Sequence, residues 1–158
     1  MNESMKNVYV VLHNVHAVSK VIETAQVVYG LGFPNFLVSK AEGSAAQTGV
    51  PEANRLAMKM NGSFAVLPDL RDVLEMLDVD SPLMITSPVL VKERIDARGI
   101  ANRIKDGERV VIVLSGSNSS FSRKEMDMGE CVSLEARVDI GPAGSAAIVL
   151  YGIDGILI

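Results

Sequence analysis

The sequence is poor in the residues that carry most metal and cofactor chemistry. It has no tryptophan, two histidines and one cysteine, Cys131, in 158 residues. A lone thiol excludes a disulfide framework, a CxxC pair or a zinc ribbon within one chain, and suits a reducing, cytoplasmic setting. With two histidines a dense metal site is not expected, and no metal ligands are assigned. Aromatic residues make up 4%, so a base-stacking platform is not expected, and no RGFGFV-like stretch occurs. Positive charge is also short. Fifteen Lys and Arg face nineteen Asp and Glu, a net charge of -4, so any nucleic-acid contact must rest on a local basic patch. No apolar run approaches the roughly 20 residues of a bilayer span; the nearest is Ala146 to Tyr151. The opening MNESMKNVYVVLHNVHAV lacks a secretory apolar region. A soluble protein with no membrane partner is expected.

What is present is a compact-domain composition, 48% hydrophobic and 22% charged, read as one domain over 1–158. Short β-branched runs alternate with stretches of helical period, the pattern of βαβ units on a parallel sheet flanked by helices. Strands are expected at Asn7 to Leu12, Asn35 to Val38, Ser63 to Leu67, Leu83 to Ile85, Arg109 to Leu114 and Cys131 to Leu134. Helices are expected at Val15 to Tyr29, from Pro51 to Met60, at Leu70 to Leu77, Val91 to Asp106, briefly after Arg123, and at Gly144 to Ile153. Ser39 to Val50, small, polar and punctuated by glycine, reads as a mobile loop. The first turn of the last helix is all small residues, which permits close backbone approach to another helix or a ligand.

That last helix and its approach, VDIGPAGSAAIVLYG, resemble the third motif of the SpoU branch of the SPOUT RNA methyltransferases, with Ala146, Ala147, Ile148, Val149, Leu150 and Tyr151 matching. Asn14 to Ala25 (NVHAVSKVIETA) resembles the family's opening NPxNxGxIxRTA, down to the Thr24, Ala25 pair. Ser115 to Ser122 stands where the family has an FGxExxGLS loop, and Thr86, Ser87, Pro88 where it has a small-residue turn. The resemblance implies a SPOUT-type α/β fold with a C-terminal deep trefoil knot, an exception to the rule that chains do not thread loops. It further implies a homodimer that binds S-adenosylmethionine and methylates a ribose 2'-hydroxyl of tRNA or rRNA. A catalytically silent knotted module that binds the donor or RNA is the alternative. An unrelated nucleotide-binding or phosphoesterase domain is a third reading, against which stand the absence of GxGxxG, of GxxxxGK[ST] and of a carboxylate cluster with metal spacing.

Parallel sheets bind ligands beyond the carboxyl ends of their strands. The methyl donor is accordingly assigned to Thr86 and Ser87, to Leu114, Ser115, Gly116 and Ser117, to Leu134, and to Ile140, Gly141, Ala143 and Gly144; Ser115, Gly116 or Ser117 taken alone reads more simply as a turn former, and it is the convergence of three loops that favours a ligand. The sequence departs from the motifs at polar positions: Glu23 replaces the arginine of RTA, Ala17 the second asparagine, Asn118 the loop glutamate and Gly141 the asparagine of SLNVS. Asn14 and Glu23 are the catalytic candidates. His16, Lys20 and Glu23 share one expected helix face, either as a replacement catalytic set or as a solvated face with a Lys20 to Glu23 pair. Arg94, Arg98 and Lys105 cluster on one side of their expected helix as the RNA-binding patch, diluted by Glu93, Asp96 and Asp106.

Overall fold

The computed structural model describes residues 3–157. Six strands alternate with six helices: β1 (Val8–Val15), α1 (Val18–Gly30), β2 (Asn35–Ala41), α2 (Val50–Lys59), β3 (Ser63–Leu67), α3 (Leu70–Leu77), β4 (Leu83–Ile85), α4 (Ala97–Lys105), β5 (Val110–Ser115), α5 (Arg123–Met126), β6 (Glu130–Val132) and α6 (Pro142–Leu157). All strand pairs are parallel, in the order β3-β2-β1-β5-β4-β6. The expected parallel α/β sheet with flanking helices is therefore the architecture of the protein. β1 and β5 are continuous apolar runs because both of their faces are covered.

Val8, Val10, Leu12 and Val15 of β1 face the larger core, which also holds Val21, Ala25, Ile100, Ile104, Val149 and Ile153 from the helices. Tyr9 and Val11 face the smaller core with Leu70, Val73 and Phe121. Hence α1, α2, α4 and α6 form one layer, and α3 and α5 lie on the opposite face. No helix among the described residues is long and apolar enough to cross a membrane.

Several expected boundaries move. Ser39 to Val50 is not one loop: β2 continues to Ala41, residues 45–49 form a wide turn, and α2 starts at Val50 with proline in its first turn. Gly49 is packed against Val21, where an added Cβ would lie 3.1 Å from the valine Cβ. The helix expected from Val91 begins only at Ala97, because Asp96 caps it by accepting the Gly99 N–H. The residues before it are used differently. Ser133, wholly buried, accepts Arg94 Nη1 at 2.5 Å on its hydroxyl, offers that hydroxyl to the carbonyls of Val91 and Glu93, and pairs its backbone with Glu93 and Ile95. Segment 91–95 thus grips the chain as it leaves β6.

Candidate functional site at the carboxyl ends of β1, β2 and β5

In a wholly parallel sheet every strand delivers its following loop to the same end. At that end His13 of β1 sits level with Ser39 of β2 and Ser115 of β5. It follows Tyr9 and Val11 on the face covered by α3 and α5, so the alternation that buries those side chains buries the imidazole too. His13 is completely buried, and both ring nitrogens are engaged. Nδ1 lies 2.8 Å from Ser39 Oγ, and Nε2 lies 2.5 Å from Glu125 Oε2 and 4.0 Å from Asp69 Oδ1. With Glu125 accepting the Nε2 proton, the second ring nitrogen shares a hydrogen bond with the Ser39 hydroxyl.

Glu125 uses both oxygens. Its Oε1 accepts the Ser122 N–H at 2.7 Å while Ser122 Oγ accepts the Glu125 N–H, a reciprocal cap on α5. Burial pushes the Glu125 carboxyl up, but the Ser122 N–H and His13 outweigh it and hold the group below the ordinary carboxylate range. Asp69 caps α3 by accepting the Leu70 N–H at 2.8 Å, yet its side chain is 58% exposed. It is the carboxylate of this cluster that solvent reaches freely.

The backbone around the cluster is unusual. Asn14, Lys40 and Ser120 all have positive φ, 61°, 51° and 64°. Gly116 lies flat against β1: an added Cβ would stand 2.6 Å from Val15 Cβ and 2.8 Å from the Asn14 carbonyl oxygen. Lys20 crosses from α1 to the same edge, donating to the Gly116 carbonyl at 3.0 Å and Asn118 Oδ1 at 2.9 Å.

The expected site residues divide. Thr86, Ser87, Leu134 and Ile140 do meet, with Ser145, around a crevice of about 20 Å³. Gly141, with φ 87°, donates its N–H to Asp139, and Gly144 faces Ile140; Ala143 stands in the first turn of α6. Leu114, Ser115, Gly116 and Ser117 do not line this crevice: Leu114 is enclosed in the sheet between Leu12 of β1 and Ile85 of β4, and Ser115 and Gly116 stand against His13 and Val15 of β1. Ligand pockets enclose roughly 300 Å³ or more, so the crevice as it stands does not fit S-adenosylmethionine.

Asn14 lies beside the histidine cluster. Glu23 is exposed on α1, and the expected Lys20 to Glu23 pair is replaced by the contacts of Lys20 with Gly116 and Asn118. The basic patch is not a helix face: Arg94 lies outside α4 and is spent on Ser133, while Arg98 and Lys105 are exposed on α4. His13, Ser39, Asp69 and Glu125 were missed by the sequence reading. The one available signal was a histidine within an apolar strand.

Among the described residues no group of three or more His, Cys, Asp or Glu could hold a metal ion. Carboxylate-bound metal pairs commonly serve phosphodiester cleavage; the described donor set does not fit such a pair.

Architecture and site together define an α/β protein of SPOUT-like fold with a polar cluster at its carboxyl edge. The chain belongs to the family described as "RecB-family nuclease (DUF2122)", whose model matches residues 43–152. It is 38% identical over 142 residues to the "Putative type II restriction enzyme ApeKORF2002P" of Aeropyrum pernix, covering 89% of this chain and 88% of that one. It is 27% identical over 147 residues to the "Putative type II restriction enzyme MjaORF1200P" of Methanocaldococcus jannaschii, covering 93% and 96%. Solved structures share the fold: a "Probable Methyltransferase" from Bordetella pertussis Tohama I, TM-score 0.78, 16% identical, covering 99% of this chain and 97% of that one. The A. aeolicus TrmH/SpoU tRNA modifying enzyme has a TM-score of 0.68 at 15% identity, covering 96% and 75%.

These findings correct the functional expectation. The RNA methyltransferase function implied by the motifs, with its silent-module alternative, is overturned by the family and its curated relatives, which are named as nuclease and restriction enzymes. The matching AAIVLY and TA letters record a shared fold. The polar departures at Ala17, Glu23, Asn118 and Gly141 fall where the methylase motifs carry chemistry.

Proposed function

We propose that the chain is an enzyme that cleaves a nucleic-acid phosphodiester at the carboxyl ends of β1, β2 and β5. The family and relatives supply the class. The observation that carries the location is the buried His13 held between Ser39 and Glu125, with the exposed Asp69 carboxylate beside it. Hydrolysis requires water to add to phosphorus as the bond to the leaving oxygen breaks, with one proton lost by the water and one gained by that oxygen. Asp69 is placed to accept the first, and solvent supplies the second. His13 and Glu125, enclosed and fully bonded, act as positioning residues that fix the edge on which Asp69 stands.

The test is incubation of the purified protein with single- and double-stranded DNA and RNA, with and without divalent cations. Asp69→Asn keeps a good helix cap, so folding survives, while cleavage falls about 100-fold or more, the usual share of a proton-transfer group. Failure of the wild-type protein to cleave any of these polymers would sink the reading. Equal rates for wild type and Asp69→Asn would remove Asp69 from it.

S-adenosylmethionine is proposed only as a ligand of the Thr86, Ser87, Leu134, Ile140 crevice, which would have to open at the exposed Val138 and Ile140; the absence of binding heat on calorimetric titration removes it. A homodimer through α6 is supported by an apolar hollow of about 390 Å³ bordered by Leu31, Ile148 and Tyr151. A single cytoplasmic domain over 1–158, with its C-terminal segment threaded as a knot, completes the proposal.

A further inference from the structure

Adjacent strands β1 and β2 both break their side-chain alternation at the same rung. Their register runs rung by rung to His13 opposite Ser39 and continues unchanged at Val15 opposite Ala41, with Asn14 and Lys40 facing each other unpaired between them. The side chains change phase across that rung. In β1, Leu12 faces the larger core and His13 the opposite face, and Val15, not Asn14, faces the larger core next. In β2, Val38 faces that core, Ser39 the other side, and Ala41 returns to it. Asn14 and Lys40 therefore belong to neither helix layer, and their side chains leave the alternation together at the end of the sheet.

Both residues also carry the left-handed backbone, φ 61° and 51°. Glycine adopts that conformation without penalty, and asparagine tolerates it, but lysine does not favour it. A long cationic side chain at such a position is the kind of local misfit found at functional sites. Lys40 is exposed, and among the described residues neither an ion pair nor a hydrogen bond engages its ammonium, which leaves that charge open to a ligand. One rung away lies the His13, Ser39, Glu125 cluster.

We infer that Lys40, with Asn14 beside it, holds a phosphate group of the nucleic acid at this edge. The inference rests on the proposed function, which it deepens by naming the residue that neutralises the backbone charge. A lysine on phosphate binds as a point charge, weakens uniformly across sequences and reports itself in the salt dependence.

The experiment measures binding of a fluorescent oligonucleotide by anisotropy across a series of salt concentrations, for wild type, Lys40→Gly, Lys40→Arg and the control Lys59→Ala, an exposed lysine at the end of α2 on the opposite, amino edge of the sheet. Lys40→Gly is expected to keep or raise Tm, since glycine suits the positive φ. It should lose about tenfold in affinity, one charge-assisted hydrogen bond, and flatten the log–log salt slope by about one. Lys40→Arg should restore the slope, and Lys59→Ala should match wild type. Wild-type binding with an unchanged Lys40→Gly slope overturns this inference and leaves the proposed function standing. No binding by wild type overturns both.

Discussion

Glu125 is the residue whose charge state the fold most clearly controls. Its carboxyl titrates lower in the folded protein than its ordinary value of 4.5, so it contributes stability that is fully present above that value. The contribution is lost as pH falls through the lower, folded pKa. Urea unfolding at a series of pH values should therefore show wild type exceeding Glu125→Gln by a constant margin from about pH 7 to 5, shrinking at more acid pH. A margin that does not change with pH would sink this account. His13→Ala leaves Ser39 and Glu125 facing a void and should cost about 1–3 kcal/mol in the same assay, the penalty of orphaning buried polar groups. None of this was legible beforehand. In the sequence His13 is one polar letter among apolar ones, and its partner Glu125 is 112 residues away. Lys40 left no mark there either, since a single residue with left-handed backbone does not alter local hydropathy.

Elements were more readable, to the extent that burial alone specifies them. The expected Leu70 to Leu77 helix and the Leu83 to Ile85 strand are found with those bounds, because an Asp cap or a run of large apolar residues is a local signal. The helix expected at Val91 failed because Val91, Glu93, Arg94 and Ile95 answer to Ser133, a tertiary demand. Short elements here depend on such demands. A four-residue helix like α5 cannot nucleate by itself; it is held by the Ser122 and Glu125 cap and the bond to His13. β6, three residues long, is anchored just beyond its end by the grip on Ser133. Ser133→Ala should cost about 1–3 kcal/mol and speed amide exchange in β6 while leaving β1 protected; equal protection of β6 in both proteins would show that the grip is dispensable. Gly116→Ala, which must push against Val15 and the Asn14 carbonyl, should likewise destabilise by about 1–3 kcal/mol.

At the scale of the molecule, the two helix layers differ in how completely they are covered. On α6, Tyr151 is 71% and Ile148 55% exposed, side chains that a monomer rarely displays together. Sedimentation equilibrium should show a dimer that Ile148→Glu converts to monomer; a wild-type monomer at high concentration would remove α6 as an interface. The fold class was legible from alternation alone, but the activity was not, because one architecture hosts several chemistries and the motif letters followed the architecture.

The strand order also sets a schedule for the newborn chain. β1, β2 and β3 are neighbours both in sequence and in the sheet, so they can assemble as soon as residue 67 clears the ribosome. The other flank of β1 belongs to β5, which begins at Val110, so at roughly 5–20 residues per second it waits about 5–20 s for its partner. During that interval His13 lacks Glu125 and an apolar strand edge is open. A nascent chain of this protein is thus half a sheet in search of its other half, and a chaperone that shields that edge would improve its yield more than one acting after release.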